Sequence, residues 1–166
     1  MNTKFKLLAL AMVTGFAVNN AQAVTGDAAA EIVADITIVQ TTALQFGKMS
    51  AGTGGTVALT AAGVRSVASG TVTLVAGTTP SQGIFDVDGT ANATYAITLP
   101  GAAILLTRVA GTETMSVGTF VSNPTPTGTL DGTGTQNVNV GATLTVSNAQ
   151  VAGVYQGTYA VTVAYN

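Results

Sequence analysis

Residues 157–166 read Gly-Thr-Tyr-Ala-Val-Thr-Val-Ala-Tyr-Asn, and the fold is decided by how that stretch is understood. Tyr159, Val161, Val163 and Tyr165 occupy every second position, and the smaller Ala160, Thr162 and Ala164 lie between them. A period of two places one set of side chains on one face of a strand and the other set on the opposite face. The stretch is therefore a β-strand with a face made for a core. It stands last in the sequence, with neither a turn nor a pairing strand after it. Its backbone N–H and C=O groups need partners as much as its apolar face does. The expectation is that a strand from another molecule supplies them.

Working back from that strand, the same theme recurs: a short alternating run, then a Gly, Pro, Asn or Asp turn. Strands are expected in TVALTA (56–61), GTVTLVA (70–76), GIFDVD (83–88), ATYAITLP (93–100), TMSVGTFVS (114–122) and QNVNVGATLTV (136–146). VDGTANAT (87–94) reads as a hairpin loop turning on Asp88-Gly89. GKMSAGTGG (47–55) reads as a strand breaker, and NPTPTGTLDGTGT (123–135) as a long connection whose prolines deny ladder donors. No segment holds a long helical period. Short strands between turn signals predict an all-β sandwich or barrel.

The beginning of the sequence reads differently. Lys4 and Lys6 precede an apolar stretch from Leu7 to Val18, and Ala21-Gln22-Ala23 follows. That order is the one a secretory signal uses, and the apolar stretch is too short for a membrane span. The expected organisation is a signal peptide over 1–23, an N-terminal extension over 24–35 and a β-sandwich domain over 36–166. The exported protein would reach the cell surface or the medium, with no membrane span after cleavage.

Cleavage leaves Lys48, Arg65 and Arg108 against Asp27, Glu31, Asp35, Asp86, Asp88, Glu113 and Asp131. An acidic balance argues against nucleic acid, whose phosphates require clustered cations. Charged residues make up 7% of the sequence and hydrophobic ones 47%, the reverse of a disordered composition. There is no cysteine, so the core is stabilised without disulfides. There is no histidine either, which removes Ser-His-Asp and Cys-His chemistry and His-ligated metals.

The remaining motifs are weak. Asp86 and Asp88 share one face of a strand, a poor arrangement for carboxylates that must face each other across a substrate. DVDGTAN (86–92) places Asp86, Asp88 and Asn92 as in the opening of a calcium loop, but the closing Glu is missing. Gly47-Lys48-Met49-Ser50 lacks the order of a phosphate loop. Asn92-Ala93-Thr94 fits a glycosylation triplet and nothing more. No cofactor and no metal is implied.

Behind the cleavage site, Ala30, Ile32, Ala34, Ile36 and Ile38 alternate with Glu31, Val33, Asp35, Thr37 and Val39, and the phase continues to Leu44 and Phe46. This segment and the closing strand (Gly157, Tyr159, Val161, Val163, Tyr165) together resemble the subunits of chaperone–usher fimbriae, especially the secreted coat protein U type. ITIVQTTALQFG (36–47), ATYAITLP, TMSVGTF, LDGTGTQNVNVGATLTV (130–146) and GTYAVTVAYN resemble a secreted bacterial domain family of unassigned function.

The fimbrial resemblance implies an immunoglobulin-like antiparallel β-sandwich lacking its final strand. A periplasmic chaperone strand would fill the gap first, and the N-terminal extension of another copy or a sister subunit would replace it at an outer-membrane usher. Carried onto this sequence, the donor face is Ile32, Ala34, Ile36 and Ile38. The acceptor strand carries Tyr159, Val161, Val163 and Tyr165. The protein would then be a non-catalytic extracellular structural subunit.

Three other readings stay open. ITIVQTTALQFG could instead be the ordinary first strand of the chain's own sandwich, leaving Val24–Asp35 as the extension. The whole could also be a monomeric secreted binding module with SAGTGG (50–55) and NPTPTGTLDGTGT as recognition loops, or an enzyme that joins Asp86 to Glu113 or Asp131.

Overall fold

A computed structural model describes residues 22–166, so nearly all of the expected signal segment lies outside the described residues. The chain divides into two units at Glu31/Ile32. Of the first, residues 22–31 are described, and all are exposed and irregular.

The second unit is built from thirteen strands, with no helix among the described residues. They are β1 (Thr37–Thr42), β2 (Lys48–Ser50), β3 (Gly55–Leu59), β4 (Arg65–Gly70), β5 (Thr73–Val75), β6 (Gly83–Asp88), β7 (Thr94–Thr98), β8 (Ile104–Arg108), β9 (Thr114–Asn123), β10 (Thr127–Thr129), β11 (Thr135–Val146), β12 (Tyr155–Gln156) and β13 (Thr162–Tyr165). All pairings are antiparallel. The expected all-β antiparallel sandwich architecture is the one that forms.

The larger layer is an eight-stranded sheet in the order β1-β6-β11-β9-β8-β12, extended by β3 on β11 and β4 on β3. Its spine is β11. The first half of β11 pairs with β6, from Thr135↔Asp88 to Val140↔Gly83, and the second half pairs with β3, from Ala142↔Leu59 to Val146↔Gly55. Gly141 lies at the handover, where a Cβ would strike the Leu59 carbonyl. The residue must be glycine because two strands meet end to end beside it, not because of its own dihedral angles.

The second layer is in two pieces, a three-stranded sheet β10-β7-β13 and a two-stranded sheet β2-β5. Each piece covers its own core cluster. Under β2-β5 lie Phe46, Val57, Leu59, Val72, Met115, Val117, Leu144 and Val146. Under β10-β7-β13 lie Phe85, Val87, Tyr95, Ile97, Leu130, Val138 and Val140. Phe120 packs against both clusters. Each fully buried Val or Leu among them stabilises the fold by about 1.5–3 kcal/mol. Tyr95 is completely buried, and its hydroxyl donates to Gln136 Oε1 at 2.7 Å. The same oxygen accepts the Thr129 N–H at 2.9 Å, so the buried Tyr95 hydroxyl and its acceptor are both engaged.

The structure corrects several sequence expectations. VDGTANAT is not a hairpin. Strand β6 belongs to the large sheet and β7 to the three-stranded one, so the segment crosses between layers. Both flanking strands carry a strong apolar face, Phe85 and Val87 on one and Tyr95 and Ile97 on the other, and the two faces meet in the second core cluster. Stacked across the core they bury both faces. The crossing is held by a neighbouring loop, through Gly89 N–H to Gly134 C=O and Asn92 N–H to Asp131 C=O.

GKMSAGTGG, expected only to break a strand, contains β2, and the long connection after Asn123 contains β10. Strands β4, β8 and β12 go beyond the expected set, GTVTLVA shrinks to the three residues of β5, and the closing strand is hydrogen-bonded only over Thr162–Tyr165.

Candidate strand-addition site

Strand β13 pairs with β7 in the register Thr162↔Thr98, Val163↔Ile97, Ala164↔Ala96 and Tyr165↔Tyr95. The Asn166 N–H donates to the Thr94 carbonyl, which makes 166/94 a hydrogen-bonded pair. Bonded and non-bonded pairs alternate in an antiparallel ladder, so Ala164 and Thr162 also bond to β7. The N–H and C=O groups of Val163 and Tyr165 then point the other way. The Ile97 N–H, which donates to Pro126 on the far side of β7, fits the same parity. Strand β13 ends the three-stranded sheet, and no strand among the described residues pairs with its outer edge.

The stretch just before β13 is less engaged still. No backbone hydrogen bond ties Thr158–Val161 to a neighbour among the described residues, yet its side chains keep the strand alternation. Tyr159 and Val161 turn inward and join Val163 and Tyr165 against the second core cluster. All four expected acceptor residues therefore sit on one apolar face, half-buried, beneath a backbone that is paired on one side or on neither. The Tyr159 hydroxyl is buried without a partner, and burial pushes its pKa up to about 12. A depression of about 500 Å³ opens where this stretch parts from β7, lined by Leu99, Pro100, Ile104, Tyr159 and Ala160 among others.

The four expected donor residues separate into two pairs. Ile36 and Ile38 pack into the second core cluster of their own chain, and β1 is laddered to β6 from Thr37↔Asp88 onward. Further along, Leu44 and Phe46 join the first cluster. Ile32, by contrast, is 97% exposed, and Ala34 is exposed as well. Of the two sequence readings of ITIVQTTALQFG, an ordinary first strand describes where Thr37–Thr42 lies.

A contact invisible in the sequence joins these two regions. The Tyr165 hydroxyl accepts the Thr90 N–H at 2.7 Å and donates to the Ala34 carbonyl at 2.9 Å, while the Ala34 N–H donates to Thr90 Oγ1 at 2.9 Å. Thr90 lies in the segment expected to be a hairpin loop, so nothing in the local pattern signals it.

Glu113, Asp131 and Asp86 are engaged in structural contacts. Glu113 takes a two-point hydrogen bond from Arg108, at 2.7 and 3.2 Å, which lowers its pKa. Asp131 accepts the N–H and hydroxyl of both Thr133 and Thr135, which holds its carboxyl down at about 2. Asp86 meets the Thr41 hydroxyl on the outer face of the large sheet. Asn92 sits at positive φ in the interlayer crossing. No cluster of three metal-ligating side chains occurs among the described residues. No helix among them is long and apolar enough to cross a membrane.

The class this defines is a two-layer antiparallel β-domain whose last strand presents an open edge above an apolar face. The chain belongs to the family described as Domain of unknown function (DUF4402), matched over residues 36–165. No curated protein and no solved structure gives a match.

Proposed function

We propose that this protein is a non-catalytic, exported structural subunit that joins to further copies of itself, or to sister subunits, by strand addition at β13. The observation that carries the reading is the edge of β13. It combines outward-pointing N–H and C=O groups at Val163 and Tyr165 with an inward apolar face. Such an edge is a template for another strand, where main-chain hydrogen bonds give affinity and alternate side chains give register. The donor is the exposed segment that ends at Val33. A periplasmic chaperone strand and an outer-membrane usher would serve the same edge during export. Fimbria-like assembly at the cell surface, and adhesion through it, belong to the same proposal.

The test is electron microscopy and size analysis of the exported protein with and without Val24–Val33. Threads or strand-linked oligomers from the intact protein, and monomers from the shortened one, support the reading. Equal polymerisation of both would sink it.

A closed, monomeric binding module is the second reading, favoured by one specific observation. Ile36 and Ile38 are already committed to their own core, which halves the apolar donor face the sequence offered. A single-particle distribution at high protein concentration would select it.

A further inference from the structure

Three stretches of chain far apart in sequence meet at one phenol. Ala34, Thr90 and Tyr165 form a closed cycle of hydrogen bonds at 2.9, 2.7 and 2.9 Å. The Tyr165 ring rests in a cradle that only glycine leaves open, since a Cβ on Gly89 would meet its hydroxyl and lie 3.0 Å from Leu130 Cδ1. Burial changes sharply at this cycle. Ile36 and Ile38 on one side are packed, while Val33 and Ile32 on the other are 51% and 97% exposed.

We propose that Tyr165 is a positioning residue for assembly: by holding Ala34 it makes Val33 the last residue able to enter a neighbouring molecule, and so fixes the register of the donor. This rests on the strand-addition reading above. It narrows the donor to residues 24–33 and selects the face that enters. With a period of two, Val24, Gly26, Ala28, Ala30 and Ile32 share one face, and Thr25, Asp27, Ala29, Glu31 and Val33 share the other. Both carboxylates fall on the second set, and burying either without a partner is strongly unfavourable. The first set therefore faces the core of the second copy, with Ile32 as its large residue nearest the anchor. A slip by one residue would turn Asp27 and Glu31 inward, and a slip by two would keep the face but move Ile32 to a new neighbour. Side-chain parity excludes the first error but not the second, and a fixed end at Ala34 excludes the second.

The experiment has two readouts on the purified exported protein. Hydrogen exchange at the Ala34 and Thr90 amides is measured in the wild type, in Tyr165→Phe and in Thr90→Val. Tyr165→Phe removes the two bonds made by the phenol and Thr90→Val removes the third, and both keep the side-chain volume close to that of the wild type. Exchange at Ala34 is expected to accelerate about tenfold in both variants, the change that corresponds to about 1.4 kcal/mol. Register is read separately, because the natural sequence has no cysteine to interfere. Ile32→Cys protein is mixed with either Val161→Cys or Val163→Cys protein under oxidising conditions. With Tyr165 present, one of the two partners should dominate at least tenfold, and with Tyr165→Phe the two yields should become comparable. A single dominant partner that survives Tyr165→Phe overturns the proposal, as does unchanged exchange at Ala34 in both variants. Accelerated exchange with no cross-link to either position overturns it too, through failure of the strand-addition reading and not of the hydrogen-bonded cycle.

Discussion

The ring of Tyr159 lies on the ring of Phe120, centroids 5.2 Å apart and planes inclined by 27°. The same tyrosine meets Phe85 edge-on at 6.0 Å. Phe120 is the side chain shared by the two core clusters, so Tyr159 ties the weakly hydrogen-bonded approach to β13 to the centre of the sandwich. Aromatic contacts of both geometries are favourable by about 0.5–1.5 kcal/mol beyond the area they bury. They hold in place a stretch of chain that the backbone ladder leaves alone.

Tyr159→Phe should keep these contacts and remove a hydroxyl that is buried without a partner. An unsatisfied buried polar group costs about 1–3 kcal/mol, so the variant should be more stable than the wild type by about 1 kcal/mol in urea unfolding. Tyr159→Ala, which empties the aromatic contact, should lose about 3 kcal/mol. The wild type should also weaken in alkali. The folded phenol titrates near 12 and the unfolded one near its ordinary 10.0. The contribution is then intact below pH 10 and falls away as pH rises through 12, because the unfolded chain ionises first. Tyr159→Phe should lack that component of the alkaline loss.

Gly141→Ala tests the handover on β11. The added methyl group would run into the Leu59 and Thr60 backbone, which cannot rotate away as a side chain could. Overpacking of this kind costs about 1–3 kcal/mol. The variant should unfold at lower urea with an unchanged slope. An unchanged midpoint would mean that β3 and β6 can part without penalty.

How much of this is legible in the sequence follows from what a period of two can and cannot report. GIFDVD, ATYAITLP and QNVNVGATLTV each have an alternating core face and form strands close to their expected bounds, and TMSVGTFVS forms one as well, although its inward phase shifts from Met115 and Val117 to Phe120 and Ser122. Alternation says which face is buried but not which sheet the strand joins. That is why the Asp88-Gly89 crossing reads as a hairpin. Strand β4, Arg65–Gly70, has only one half-buried residue and so leaves no apolar pattern to read. Strand β8 alternates, but exposes Leu105 at 60%, which blurs its polarity. The acceptor face of the candidate site is readable as Tyr159, Val161, Val163 and Tyr165. The separation of Ile32 and Ala34 from Ile36 and Ile38 is not, since all four share one phase and only the ladder to β6 divides them.

Asp131 supplies an acid-side prediction. Its carboxyl gathers the Thr133 and Thr135 donors and titrates near 2, against an ordinary 3.8. A depressed carboxylate contributes stability above pH 3.8 that is lost as pH falls through 2. Carboxyl titration by NMR should find a midpoint near 2. Amide exchange at Thr133 and Thr135 should quicken in Asp131→Ala at about pH 5, where the wild-type carboxyl is ionised, and the gap between variant and wild type should close near pH 2. A gap that persists in acid would assign the loop's order to something other than the ionised carboxylate.

The edge of β13 can be probed with proline, whose missing N–H discriminates between the two sides of a strand. Val163 turns its N–H outward, away from β7, whereas Ala164 turns its N–H toward Ala96. Val163→Pro therefore removes no ladder bond. It keeps the residue before it in extended conformation, which a strand requires anyway. Its folded stability should match that of Val163→Ala, which shares the loss of the packed side chain. Ala164→Pro leaves a carbonyl of β7 without its donor and should cost about 1–3 kcal/mol. Assembly should divide the variants differently. Val163→Ala should still form strand-linked oligomers, because its outward N–H is intact. Val163→Pro should remain folded and monomeric, because the incoming strand meets a ring where it needs a donor. Native electrophoresis alongside thermal unfolding separates the cases. Oligomers from folded Val163→Pro protein would show that copies join through some surface other than this edge.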